Sequence, residues 1–134
     1  MKFRPCIDIH NGKVKQLVGG TLKDKGNKAQ ENFVSQKGGA YYANMYKNNN
    51  LEGGHIIILN AADSEYFEAS KKQALEALAA YPEGMQIGGG INAENAAEYI
   101  ENGASHVIVT SYVFKNGEVN YENLDKLVKT VGKS

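Results

Sequence analysis

The sequence predicts an α/β fold built on a parallel sheet, and three observations carry that prediction. Short apolar runs rich in β-branched residues recur at 3–9, 55–59, 85–87 and 106–109. Each precedes a helix or a helix-like crossover, which is the alternation a parallel sheet requires. The third run passes without a spacer through Gly88-Gly89-Gly90 into an alanine-rich helical pattern. Strand, backbone-only turn and helix start in direct succession form the layout of a phosphate cradle. Glycine lets the main chain approach an anion, and a helix N-terminus offers unpaired donors and partial positive charge. The same residues also suit a tight turn that holds no ligand.

Each element has its own signal. The first strand runs into Asn11-Gly12, the dipeptide of a tight hairpin, and 13–18 is a second extended piece. Residues 21–32 are lysine-rich and lack any apolar period. They read as a mobile loop, either a solvated surface connection or a lid. Residues 33–50 read as a helix whose Tyr42, Met45 and Tyr46 share the face that covers the sheet. Asn48-Asn49-Asn50 and Gly53-Gly54 end it, and Ile56-Ile57-Ile58 reads as a strand buried on both faces. After a loop at 60–63, a helix from 64 or 66 to 80 places Ala69, Gln73, Ala77, Leu75 and Leu78 along one side, and Tyr81-Pro82-Glu83-Gly84 breaks it. Residues 93–102 form a third helix, with Asn92 as N-cap and Gly103 as stop. Residues 106–109 are the fourth strand, 110–117 its exit loop and 121–131 the last helix. Glycine and histidine precede a β-branched run both at Gly53 to His55 and at Gly103 to His106, a repetition that suits a barrel of similar units.

Composition narrows the function. At 134 residues the chain suits a single domain over 1–134. Fifteen basic and fifteen acidic residues leave no net field to favour nucleic acid or an anionic membrane. There is no apolar run near the ~20 residues of a membrane span and no signal-peptide pattern, so the expectation is a soluble cytoplasmic protein. The single cysteine, Cys6, excludes an internal disulfide and a multi-cysteine metal site, and reads as a packing residue rather than a nucleophile.

In α/β proteins the working residues sit where the carboxyl ends of parallel strands give way to loops. Those positions are Asp8, Asn60, Gly88 to Gly90, and Thr110 with Ser111. A carboxylate in the apolar strand Cys6-Ile7-Asp8-Ile9-His10 costs several kcal/mol of desolvation unless it is paired or faces a wet pocket. Asp8 is therefore the candidate general base, with a structural capping role as the alternative. Thr110 and Ser111 offer hydroxyls and main-chain donors beside the glycine strand, so two strand ends converge on one anion; otherwise they serve local turn geometry. His10 lies beside Asp8. His55 and His106 begin strands at the opposite end of the sheet, which argues against a histidine metal set.

These residues together resemble a known family. The segments Pro5-Cys6-Ile7-Asp8-Ile9-His10-Asn11-Gly12-Lys13-Val14-Lys15-Gln16-Leu17-Val18-Gly19-Gly20, Asn32-Phe33-Val34-Ser35-Gln36, Tyr41-Tyr42-Ala43, Gln86-Ile87-Gly88-Gly89-Gly90-Ile91-Asn92 and Val107-Ile108-Val109-Thr110-Ser111 are similar to the N-terminal half of the phosphoribosylformimino-aminoimidazole carboxamide ribotide isomerases of histidine biosynthesis, in their fungal-type form. The resemblance implies a (β/α)8 TIM barrel enzyme that converts an aminoaldose to an aminoketose by an Amadori rearrangement, with no cofactor and no metal. It implies that Asp8 is the general base and that Gly89, Gly90, Thr110 and Ser111 bind one substrate phosphate. His10, Gln16 and Asn60 are left as candidate substrate contacts.

The chain departs from the family pattern in places. It has Gln16 where bacterial members carry arginine, Leu59-Asn60 where they have an aspartate, and Asn92 where they often have arginine. It also stops after its fourth helix, before the family's second catalytic aspartate and second phosphate site. The implied architecture is thus the N-terminal half of the barrel, four parallel βα units, inactive alone. Its expected partners are a phosphorylated ribosyl small molecule and either a second copy or a C-terminal half barrel, since a half barrel leaves open strand edges. Two alternatives stand beside the isomerase: the imidazole glycerol phosphate synthase cyclase of the same pathway, and a non-catalytic phosphate-binding half barrel that serves as an assembly unit.

Overall fold

The computed structural model describes residues 1–17 and 31–132. Along the chain they form β1 (Cys6–His10), β2 (Lys13–Leu17), β3 (Glu31–Val34), α1 (Gly39–Asn48), β4 (Gly54–Ile58), α2 (Phe67–Ala80), β5 (Met85–Gly88), α3 (Ala96–Glu101), β6 (Val107–Ile108), β7 (Phe114–Lys115), β8 (Glu118–Val119) and α4 (Tyr121–Val131). One six-stranded sheet has the order β3-β2-β1-β4-β5-β6, and β7 with β8 makes a separate ribbon. Strands β1, β4, β5 and β6 are parallel, while β2 and β3 extend the β1 side as antiparallel strands. The expected α/β architecture with a mostly parallel sheet is therefore present. Residues 18–30, which hold most of the segment expected to be a loop or lid, lie outside the described residues.

Strand alternation decides where the core sits. Ile7, Ile9, Ile56, Ile58 and Ile87 are each at most 3% exposed and point to the helix layer, where they meet Ala43, Ala74, Ala77, Leu78 and Tyr99. Each buried isoleucine contributes about 1.5–3 kcal/mol of transfer free energy. The residues between them, Cys6, Asp8, His55, Ile57 and Gln86, point the other way and are half-buried or exposed. This corrects the expectation that Ile56-Ile57-Ile58 is buried on both faces. Helices cover one face of β4, and Ile57 lies on the other.

Several boundaries moved. The helix expected over 33–50 begins only at Gly39, because Glu31–Val34 is a strand pairing with β2, Lys15 opposite Val34 and Gln16 opposite Phe33. Residues 35–38 separate the two elements. On α1 the core face is Gly39 and Ala43 flanked by Tyr42 and Tyr46, whereas Met45 is 39% exposed and does not belong to it. The stripe that α2 buries is Ser70, Ala74, Ala77 and Leu78. Within the expected exit loop 110–117, Phe114–Lys115 folds back on Glu118–Val119 across Asn116-Gly117, whose φ values of 53° and 77° repeat the geometry of Asn11-Gly12 at 51° and 74°. The last helix starts and stops as expected, and the Asn120 side chain accepts the Asn123 N–H at 3.1 Å.

Candidate functional site

The parallel register lines up the candidate residues. Asp8 stands opposite Ile57, Ile57 opposite Gly88, and Gly88 opposite Ile108, so one row crosses four strands on the face away from the helices. At about 4.8 Å per strand, Asp8 and Gly88 are about 10 Å apart along that row. The row has no room for a side chain at Gly88, where a Cβ would come within 2.9 Å of Ile57 and 3.2 Å of Ile108, so these two side chains close over it. Beyond the row the strand ends open into Gly89-Gly90 and Val109-Thr110, side by side.

Asp8 is half-buried on this face. Two residues earlier on the same face, the Cys6 thiol donates to Asp8 Oδ1 at 2.8 Å. Desolvation of the sulfur first, then the hydrogen bond to Asp8 and its negative charge, push that thiol up to about 12. Cys6 was expected to be a packing residue, yet it is exposed. It stays protonated through the physiological range, which makes it a neutral donor to the carboxylate and a poor nucleophile.

The glycine turn is held from two sides. Gly89 has φ +103° and packs onto the neighbouring strand so closely that a Cβ would sit 2.2 Å from the Ile58 carbonyl oxygen. Gly90 has φ +67° with no atom within 4 Å of its Cβ position, so it faces open space. Asn92 and Asn95 then bond reciprocally: Asn92 N–H donates to Asn95 Oδ1 at 2.9 Å, and Asn95 N–H to Asn92 Oδ1 at 3.0 Å. Asn92 Oδ1 also accepts the Glu94 N–H at 2.9 Å, and the Asn92 carbonyl accepts the Ala96 N–H. Asn92 thus caps the first turn as expected, although regular helix begins only at Ala96. The capping corrects one expectation. Two of the donors assigned to the helix start, the Glu94 and Asn95 N–H groups, are already taken by the Asn92 side chain. The side chains of Thr110 and Ser111 are exposed, and the Thr110 carbonyl accepts the Val113 and Phe114 N–H groups, turning the chain away from the sheet.

The structure does not bring every candidate to this row. Asn60 is buried at 6% exposure, and its amide is committed: Oδ1 accepts from the Asn11 N–H at 2.8 Å and from Ser70 Oγ at 2.6 Å, while Nδ2 donates to Asn11 Oδ1 at 2.8 Å. Ser70 Oγ in turn accepts the Gly12 N–H at 2.9 Å. The network clamps the turn after β1 onto α2. Gln16 is exposed on β2 opposite Phe33 and shares the side-chain direction of Val14, away from the Asp8 face. His10 is buried, with Nδ1 3.3 Å from the buried Lys15 Nζ. His55 and His106 lie at the amino end, and no cluster of metal-ligating residues occurs among the described residues. Ser70 and Asn95 were not anticipated. A serine in the apolar stripe of α2 and an asparagine three residues after Asn92 were the available signals.

Comparisons with known proteins agree with one another. The family model described as histidine biosynthesis protein matches residues 2–133. A protein of Medicago truncatula is 56% identical over 137 residues, covering 99% of this chain and 42% of that protein. One of Neurospora crassa is 46% identical over 127 residues, covering 95% and 47%. One of Saccharomyces cerevisiae is 43% identical over 134 residues, covering 98% and 48%. All three are named as the imidazole-4-carboxamide isomerase that acts on a bis-phosphoribosyl substrate, the Medicago protein as chloroplastic. The chain spans about half the length of these relatives.

Proposed function

Because the chain belongs to the histidine biosynthesis protein family, we propose that it supplies the base-bearing half of an aldose-ketose isomerase acting on a phosphoribosyl aminoimidazole carboxamide. The observation that carries this reading is the row from Asp8 to Gly88 and Ile108, with its glycine turn at the far end. It offers a carboxylate and a main-chain anion site on one face, about two strand spacings apart, a separation suited to holding a sugar phosphate while one of its carbons is deprotonated.

The chemistry follows from the groups present. Opening of the aminoaldose ring gives a protonated imine at C1, which acidifies the hydrogen on C2. Asp8 removes that proton, the C–H electron pair forms the C1–C2 double bond, and the imine π pair moves to nitrogen. The resulting enaminol tautomerises to the C2 ketone. C2 is oxidised and C1 reduced within one molecule, so the rearrangement consumes no external electron carrier. A positioned general base is worth about 10²–10⁴ in rate. Cys6 holds one oxygen of Asp8 and leaves the other for the substrate. Gly89, Gly90, Thr110 and Ser111 bind a phosphate through main-chain donors and hydroxyls, with His10 as a neighbour of the base. In this reading Asn60 acts through the β1 turn that it clamps, and Gln16 meets substrate only if β2 is carried over the site.

Activity requires a partner along the open β6 edge, so that the Asp8 face is enclosed. An apolar groove of about 680 Å³ lies between α3, β6 and α4, lined by Ile100, Val107, Val109, Leu124 and Val128. We assign it, together with the β6 edge, to a complementary half barrel, either a second copy or the portion of the relatives that this chain does not span. That partner brings the acid and the second phosphate site implied by the resemblance. The names of the relatives favour the isomerase over the cyclase of the same pathway. No helix among the described residues is long and apolar enough to cross a membrane, and we place the activity in the cytoplasm.

Reconstitution tests the proposal. The chain is mixed with the remaining portion of its Medicago relative and assayed for aminoketose formation. Turnover in the mixture, absent from either part alone, is the expected result. A stable one-to-one complex without turnover overturns the catalytic reading and leaves a phosphate-binding assembly unit.

A further inference from the structure

Gly90 presents a problem that packing does not solve. Its φ of +67° is held while no atom lies within 4 Å of its Cβ position. A glycine in open surroundings visits both signs of φ at similar cost, so its peptide planes swing. What fixes it is a side chain from beyond the turn: Asn95 Nδ2 donates to the Gly90 carbonyl at 3.0 Å. The Asn95 side chain is itself held, because its Oδ1 accepts the Asn92 main-chain N–H at 2.9 Å, a bond that does not need the Asn92 side chain. The anchor is therefore more rigid than the glycine that it grips.

We propose that Asn95 is a positioning residue for anion binding, acting by setting the direction of the main-chain donors of the glycine turn. The peptide between Gly90 and Ile91 is planar and trans, so its carbonyl and N–H point in opposite directions. Fixing the Gly90 carbonyl toward Asn95 fixes the Ile91 N–H in the opposite direction. The assignment matters because the Asn92 side chain already occupies two of the helix-start donors, at Glu94 and Asn95. An anion at this strand end then depends on the glycine-turn amides, and an amide that swings pays its ordering cost on binding. Asn95 meets that cost in advance. The inference rests on the phosphate reading of Gly89 and Gly90 and adds a residue outside it.

The test uses the full 134-residue chain, with inorganic phosphate and then ribose 5-phosphate as probes, read by amide NMR shifts and by calorimetry. Asn95→Ala removes the grip on Gly90. Asn92→Ala removes the cap bonds to Glu94 and Asn95 but leaves the Asn95 amide facing Gly90. The expected result is a saturable shift at Gly90 and Ile91 in the unsubstituted chain. Affinity falls at least about tenfold in Asn95→Ala and stays within about threefold in Asn92→Ala. Equal affinity of Asn95→Ala and the unsubstituted chain overturns the inference. So does an equal loss in both variants, which would make the cap the cause. Absence of saturable binding by the unsubstituted chain overturns the phosphate reading itself, and this inference with it.

Discussion

Replacing Gly89 by alanine, and Gly90 by alanine for comparison, separates two reasons for a glycine in adjacent positions. At Gly90 a methyl group meets open space, and the cost is that of a left-handed φ of +67° for a residue with a side chain, about 1–2 kcal/mol. At Gly89 the same conformational cost applies at φ +103°, and the added Cβ lies 2.2 Å from the Ile58 carbonyl oxygen and 2.9 Å from the Ile58 carbon and nitrogen. Those are backbone atoms of β4, which is bonded on both sides, to β1 and to β5, and cannot give way singly. Overpacking against a fixed wall costs typically about 1–3 kcal/mol, so Gly89→Ala loses about 2–5 kcal/mol in total. That is a large share of the stability of an ordinary domain, about 5–15 kcal/mol. With a urea slope of about 2 kcal/mol per molar, the unfolding midpoint falls by about 1–2.5 M for Gly89→Ala and by about 0.5–1 M for Gly90→Ala. Urea titrations followed by circular dichroism measure both. A Gly89→Ala chain no less stable than Gly90→Ala would refute the close packing of the turn on β4.

Three further perturbations have defined outcomes. Asp8→Asn removes the negative charge that helps to raise the Cys6 thiol, while a neutral carboxamide acceptor and desolvation, the largest influence, remain; the thiolate absorbance of Cys6 then appears at lower pH than about 12 but still above its ordinary 9.0. An unchanged titration would mean that the Cys6–Asp8 bond does not form in solution. Cys6 and Tyr99 both titrate near 12 in the folded chain, against ordinary values of 9.0 and 10.0, chiefly because burial disfavours their anions. Both raise folded-state values, so their contribution is complete below pH 9 and is lost as pH climbs toward 12. Alkaline unfolding should coincide with tyrosinate absorbance and be delayed in Tyr99→Phe. Ser70→Ala strips the Gly12 N–H and Asn60 Oδ1 of a partner at a position with 0% exposure, where water cannot substitute. It should cost about 1–3 kcal/mol by denaturant titration, and a loss under a few tenths would show that the clamp is not formed.

What was legible in the sequence was local. Asn11-Gly12 announced its hairpin because both positions need positive φ, and Asp8 stood out as a charge in an apolar strand. The glycine triplet marked the strand-to-helix turn, and Gly103 the end of the third helix, with φ +109°. What escaped depended on distance or on brevity. β3 is only four residues, and its reason for being a strand is β2, which lies across the chain from it. β7 and β8 are two residues each, too short to show alternation, although Asn116-Gly117 carried the same signal as Asn11-Gly12. The Ser70 clamp joins residues 58 positions apart and has no sequence period to betray it. The helix-start donors were misjudged for a chemical reason: an asparagine that caps a helix also consumes the amides that an anion would use.

The most direct test of the central claim is the turnover of the reconstituted assembly with Asp8→Asn in this chain. The carboxamide is nearly the same size as the carboxylate and still accepts from Cys6, so assembly and phosphate binding should persist while the base is gone. The expected result is a kcat lower by about a hundredfold to ten-thousandfold with KM within a few-fold. A kcat within tenfold of the unsubstituted assembly would contradict it, and would place the base elsewhere.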